Sequence, residues 1–125
     1  MTKKEARIAH KKEVRKKFAS LTEDQKKKLA DNAIIARVDG GALSVSNTIM
    51  LYLQTYGTGT TPTVVGGYDQ WRKAGRQVSQ GQHGLLIWYP VGKKNENGEI
   101  EEVDKFFMGS VFDVTQTEER AAKSA

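Results

Sequence analysis

With 125 residues, 38% of them hydrophobic, and a mean hydropathy of −0.59, the chain has the size of one polar globular domain. No apolar stretch approaches the roughly 20 residues a membrane span requires. Zero cysteines exclude disulfides and thiolate metal sites, and the basic start from Met1 to Phe18 lacks the apolar centre of a signal peptide, so the expected compartment is the cytoplasm.

The net charge of +5 is uneven: residues 1–30 carry eleven Lys/Arg against four acids, a net +7, whereas residues 31–125 carry nine against eleven, a net −2. Such a segment attracts polyanions and adds affinity by displacing phosphate counterions; the alternative reading is a solubilising or frayed tail. From Thr2 to Ala19 strong helix formers run without Gly or Pro, with Ile8, Val14 and Phe18 as scattered apolar positions. Thr22-Glu23-Asp24-Gln25 matches a capping box, so a second helix is expected from about Glu23 to Arg37, with Leu29, Ala33 and Ile34 inward. Asp39-Gly40-Gly41 would end it.

A third helix starts at Ser44 or Ser46 and places Val45, Ile49, Leu53 and Tyr56 on one side as core. Gly57 to Gly67 reads as a loop with a short extended segment at Val64-Val65, and a short helix from about Tyr68 to Ala74 closes at Gly75. Leu85 to Val91 and Phe106 to Val114 are apolar runs of strand length, expected to be buried. Between them Asn97-Gly98 is a strong turn signal, so the runs form an antiparallel hairpin with a long polar tip. From Thr117 onward the tail reads as a short helix or disordered. The fold class is α+β, N-terminal helices followed by a small antiparallel sheet.

The only histidines are His10 and His83, there is no HExxH, no nucleophile elbow and no GxxxxGK[ST] loop, so the chain reads as a binding protein rather than an enzyme, and no cofactor or metal is implied. What remains is aromatic and basic: Tyr68, Trp71, Arg72, Lys73, Arg76 and Gln77, then Trp88 and Tyr89. Unpaired bases offer flat π-faces, so a protein holding them needs aromatic surfaces for stacking and cations along the backbone. Trp71 and Trp88 are each either core or platform; Arg72 and Arg76 are four apart, with Lys73 between them.

Taken in order, Asn47-Thr48-Ile49-Met50-Leu51, Val65-Gly66-Gly67-Tyr68-Asp69-Gln70-Trp71, Gly75-Arg76-Gln77-Val78-Ser79-Gln80-Gly81, Ile87-Trp88-Tyr89-Pro90 and Val111-Phe112-Asp113-Val114-Thr115-Gln116-Thr117-Glu118 resemble the N-terminal domain of ArdC-type antirestriction proteins of phages and plasmids. The resemblance covers roughly residues 42–119. It implies single-stranded DNA binding in a bacterial host cell, and full-length members that continue into a metalloprotease-like domain, before which this chain stops. Within it, Trp71, Gly75, Val78, Gly81, Phe112 and Val114 are scaffold candidates, and Asn47, Gln77 and Gln116 suit capping or backbone bonding.

The expected organisation is a basic helix or arm over 1–20, a DNA-binding domain over 21–119 and a polar tail over 120–125. The expected function is sequence-tolerant single-stranded DNA binding by phosphate neutralisation and base stacking. Contacts fall to Arg72, Lys73, Arg76, Trp88 and Tyr89, with Lys93 and Lys94 at the hairpin base. The alternatives are duplex DNA or RNA binding, or a protein-interaction module that blocks a host enzyme through the acidic loop from Glu96 to Asp104 or the basic arm; no membrane partner is expected, and the oligomeric state is left open.

Overall fold

The computed structural model describes residues 2–31 and 35–120. Thr2 caps the first helix, α1 (Lys3–Ser20), by accepting from the Glu5 N–H at 3.0 Å. Thr22 and Gln25 form the reciprocal capping box their spacing demands and open α2 (Glu23–Ala30). The helix expected to reach Arg37 therefore stops early. Ile35 is fully buried, and the next two residues form β1 (Ala36–Arg37), parallel to β2 (Val64–Gly66). Pairing with a strand far along the chain overrides local helix preference here; Ala33 and Ile34 lie outside the described residues. Asp39-Gly40-Gly41 consequently closes a turn after a strand rather than a helix. The Arg37 N–H donates to the Gly41 carbonyl, and φ of +109° at Gly40 and +80° at Gly41 makes glycine necessary.

Ser44 caps α3 (Val45–Thr55), which is the centre of the molecule. Its buried positions are Thr48, Ile49, Met50, Leu51, Tyr52 and Thr55, whereas Val45 is 66% and Tyr56 86% exposed, so the inward face is rotated from the expected stripe. Thr48 and Thr55 tolerate burial because each hydroxyl donates to the carbonyl four residues back, Ser44 and Leu51. Then follow α4 (Tyr68–Lys73), β3 (Arg76–Val78), the long β4 (Leu85–Lys94) and β5 (Ile100–Asp113), a 3-10 turn (Val114–Gln116) and β6 (Thr117–Glu119). The main sheet runs β1-β2-β5-β4, and β3 pairs with β6, so the segment expected as a helical or disordered tail begins as a strand. Residues 121–125 lie outside the described residues. The α+β class holds.

One cluster, Ile35, Leu51, Tyr52, Val65, Ile87 and Val111, fills one face of the sheet against α3. A second, Val14, Met50, Leu86 and Met108, fills the other and takes α1 into the body, with Phe18 and Trp88 packed on it. Trp71 is 2% exposed and its indole N–H donates to the Phe112 carbonyl at 2.9 Å, which settles it as core.

The free edge of β4 is dressed by α3. The Asn47 side chain accepts from the Trp88 N–H at 2.7 Å and donates to its carbonyl at 3.0 Å. Two turns on, Gln54 does the same to Leu86, at 2.8 and 2.7 Å. These amides imitate a neighbouring strand, and Pro90, at the next outward-facing position, has no N–H to offer, so the edge is closed to further pairing. Beyond Pro90 the β4–β5 hairpin continues as a two-stranded arm. It turns at Asn95–Glu99, with Gly98 at φ +80° and Asn95 Oδ1 accepting from the Asn97 and Glu99 N–H groups.

Candidate nucleic-acid interface

Where α3 ends its cover of β4, a cleft of about 820 Å³ opens around the strand at Trp88-Tyr89-Pro90. Its floor includes Val65, Gly66, Ile87 and Val111; Tyr89, Phe106 and Phe18 form aromatic walls; Arg37, Asp39, Ser44, Asn47 and Gln70 supply the polar rim. The cleft is open to solvent on one side, with an apolar floor and a polar rim.

Tyr89 is the most deliberately placed ring. A Cβ at the cross-strand Gly109 would overlap its Cδ2 and Cε2, so the ring lies over the glycine backbone. It remains 40% exposed. One π-face is thus supported by protein while the side chain stays open to the cleft. Burial, and secondarily the Asp39 charge, push the Tyr89 phenol above the usual tyrosine value. Asp39 Oδ1 forms an ion pair with Arg37, 3.2 Å from an Nε whose hydrogen goes to the Gly40 carbonyl, and its other oxygen accepts from Gln70 Nε2 at 3.2 Å. Gln70 is in turn fixed by accepting from the Gly67 N–H at 2.8 Å.

Trp88 lines the same cleft on the opposite face of β4. Phe18 meets it edge-on, 5.8 Å between centroids at 75°, and the Arg15 guanidinium sits 5.9 Å from its ring centre. It is half-buried and anchors α1. That anchoring sets a helix with eight Lys/Arg against two Glu beside the cleft, and Glu13–Lys17 is the one ion pair formed inside α1 among the described residues.

The structure separates the other sequence-derived candidates. Arg72 and Lys73 are exposed on α4 and do not line the cleft, although Gln70 of the same helix does. Arg76 is half-buried and committed to the fold: Nε donates to Thr117 Oγ1 at 2.7 Å and an Nη to the Thr117 carbonyl at 3.1 Å, clamping β3 to β6. Arg76→Ala should therefore lower thermal stability by about 1–2 kcal/mol through the lost charged donor, while Arg72→Ala leaves the melting temperature unchanged; circular dichroism melts of the two variants check this. Lys93 and Lys94 lie on the arm, where Lys93 faces Glu102 across the ladder. Gln77 bonds Glu118, and Gln116 bonds the Asp113 N–H and the His83 carbonyl, structural positions in each case.

Phe106 and Phe107, expected as buried strand residues, are 56% and 51% exposed, as are Tyr89 and Val91 in part. The reason is geometric. Consecutive residues on a strand point to opposite faces, and a two-stranded arm beyond the helices covers neither. That pattern was available in the sequence as Phe-Phe entering a hairpin with a polar tip. Lys105 sits 4.8 Å over the Phe107 ring.

Among the described residues no three His, Cys, Asp or Glu side chains gather to hold a metal ion, and no helix is long and apolar enough to cross a membrane. The fold and cleft define a small α+β module in which a basic helix and an aromatic hairpin flank one concave site. The chain belongs to the family described as the N-terminal domain of anti-restriction factor ArdC, whose model matches residues 7–121. The match takes in most of α1, beyond the segments that carry the resemblance in sequence.

Two crystal structures of the antirestriction ArdC protein from the R388 plasmid share the fold. The Mn(II)-bound one aligns over 75% of this chain and 38% of that one, at 20% identity and a TM-score of 0.55. The metal-free one aligns over 87% and 41%, at 20% identity and 0.57. The chain thus spans about two-fifths of the length of those structures. No curated protein matches it.

Proposed function

We propose that the chain binds single-stranded DNA without strict sequence requirement, as part of antirestriction or the handling of DNA entering a cell with a phage or plasmid. The observation that carries this reading is the cleft itself: Tyr89 supported from beneath and open to the cleft, Phe106 on the opposite strand face, and the basic α1 pinned alongside by Val14 and Phe18. Stacking takes unstacked bases and cations take phosphates, and the bases of a duplex already have their flat faces covered by their neighbours. Family membership supports the reading, as does the net +6 of α1.

The acidic arm tip refines the path. Glu96, Glu99, Glu101, Glu102 and Asp104 outnumber Lys93 and Lys94, so a phosphate chain is repelled from the tip and runs across the arm's base. Arg72 and Lys73 then extend the track beyond the cleft, with Lys93 and Lys94 as minor contributors.

Fluorescence anisotropy with a labelled thymine oligonucleotide at several salt concentrations tests the reading. With about three phosphates neutralised, the log–log salt slope should be roughly −2. An absence of binding at low salt to any oligonucleotide refutes it, and equal competition by duplex DNA or RNA redirects it to a general polyanion site. The exposed Val91, Val103 and Phe107 beside five carboxylates favour a second reading, an arm that docks a protein partner such as a host enzyme. Salt-insensitive binding to a protein with no oligonucleotide competition is its signature.

A further inference from the structure

An Asp in the rim of a cleft meant for a polyanion is out of keeping with phosphate binding. Asp39 is not a stray surface acid, because Arg37 and Gln70 hold both its oxygens at 3.2 Å and Gln70 is itself pinned to the Gly67 N–H. The carboxylate still has lone pairs to offer, and the terminal guanidinium nitrogens of Arg37 make no hydrogen bond among the described residues. Donor and acceptor are therefore displayed side by side at the edge of the site. Arg37, Asp39, Gln70 and Tyr89 all line the same cleft. The rim thus borders the place where a base stacked on that ring would end.

We infer that this corner is a base-reading subsite selective for guanine, with Tyr89 as the platform and the Arg37–Asp39 pair as the reader; it rests on the single-stranded DNA reading above and adds a preference to it. The choice of base follows from hydrogen-bond chemistry. Guanine presents N1–H and the N2 amino group next to each other, a match for one carboxylate, with the O6 acceptor adjoining them for a guanidinium N–H. Adenine and cytosine each place a ring-nitrogen acceptor beside their amino group, which would face the Asp39 oxygens lone pair to lone pair. Thymine has one N–H flanked by two carbonyls. Only guanine satisfies both groups, and single strands expose this edge for reading. The same carboxylate keeps phosphates out of the corner, so that the backbone lies toward α1 and the base points inward.

The test uses labelled 15-mer thymine oligonucleotides, one unmodified, one with a single central guanine and one with hypoxanthine in its place. The guanine-bearing strand should bind about tenfold more tightly than the all-thymine strand. Hypoxanthine, which keeps N1–H and O6 but lacks the N2 amino group, should lose most of that advantage. In Asp39→Asn the guanine-to-thymine affinity ratio should fall to about one. Equal affinity for the guanine and thymine strands in the wild-type protein overturns the subsite while leaving the DNA-binding function standing; binding to neither strand refutes that function instead. An Asp39→Asn variant that weakens both strands by the same factor shows that Asp39 only positions its neighbours, and also overturns the proposal. The hypoxanthine comparison needs no variant and stays decisive if Asp39→Asn fails to fold.

Discussion

Tyr89→Ala should weaken binding to a thymine oligonucleotide by about 5- to 150-fold, the equivalent of the ~1–3 kcal/mol that one base–aromatic stack contributes. The ring is supported on the Gly109 backbone, so it is already oriented before DNA arrives, and little is lost in ordering it on binding. Because 40% of the residue is exposed, the truncation costs the fold much less than a core deletion. Tyr89→Phe keeps the platform and should bind within about twofold of the wild type, if stacking rather than the hydroxyl supplies the affinity. Gly109→Val, by displacing the ring from below, should reproduce the loss seen with alanine. Anisotropy titrations beside circular dichroism melts distinguish these effects. Tyr89→Ala that melts normally and binds normally would remove the aromatic basis of the proposed function.

The pH behaviour of this ring has a definite sign. Burial and the Asp39 charge both favour the neutral phenol, so its folded-state value lies above the unfolded one. The associated stability is present below the ordinary tyrosine value near 10 and is lost as pH rises through the raised one. Across neutral pH the platform stays uncharged and does not repel phosphates.

What could be read in the sequence was what short-range chemistry decides. Thr22 with Gln25, Ser44 as a cap and Asn97-Gly98 as a turn are each satisfied by neighbours within a few residues, and each forms. Local periodicity extends the second helix to Arg37 because it does not contain Val64 and Val65, the partners that define β1. The inward face of α3 is hidden from hydrophobic periodicity because two of its buried positions are threonines, polar by composition but satisfied by their own helix. Of the candidate contacts, Trp88 and Tyr89 come together in the cleft, and Arg76 does not, since its hydrogen bonds to Thr117 exist only once β3 and β6 meet. Arg37, Asp39 and Gln70 were not legible as a group. Arg37 and Asp39 are two residues apart, at the end of β1 and in the turn after it, while Gln70 lies on α4, and their convergence depends on that turn sitting against the start of α4.

The largest stability effect is expected at Asp113, the centre of the Val111-Phe112-Asp113-Val114-Thr115-Gln116-Thr117-Glu118 segment. Its side chain is 1% exposed. Oδ1 accepts from the Thr63 N–H at 2.8 Å and the Val64 N–H at 3.3 Å, and Oδ2 from the Thr115 N–H at 3.1 Å and its hydroxyl at 2.7 Å. One carboxylate therefore fastens the entry of β2 to the end of β5 and caps the 3-10 turn that leads into β6. Asp113→Ala leaves three backbone donors without their acceptor in a partly buried setting, a loss of about 3–5 kcal/mol. For a domain of this size that corresponds to a fall in Tm of roughly 10–20 °C. Asp113→Asn preserves the shape but turns one acceptor into a donor aimed at N–H groups, so it should lie between alanine and wild type rather than rescue the fold. Because β2 carries Val65 and Gly66 of the cleft floor, the alanine variant should also bind oligonucleotides more weakly well below its melting temperature. Thermal melts followed by circular dichroism check the order; an alanine variant melting within about 2 °C of the wild type would show that the staple is dispensable.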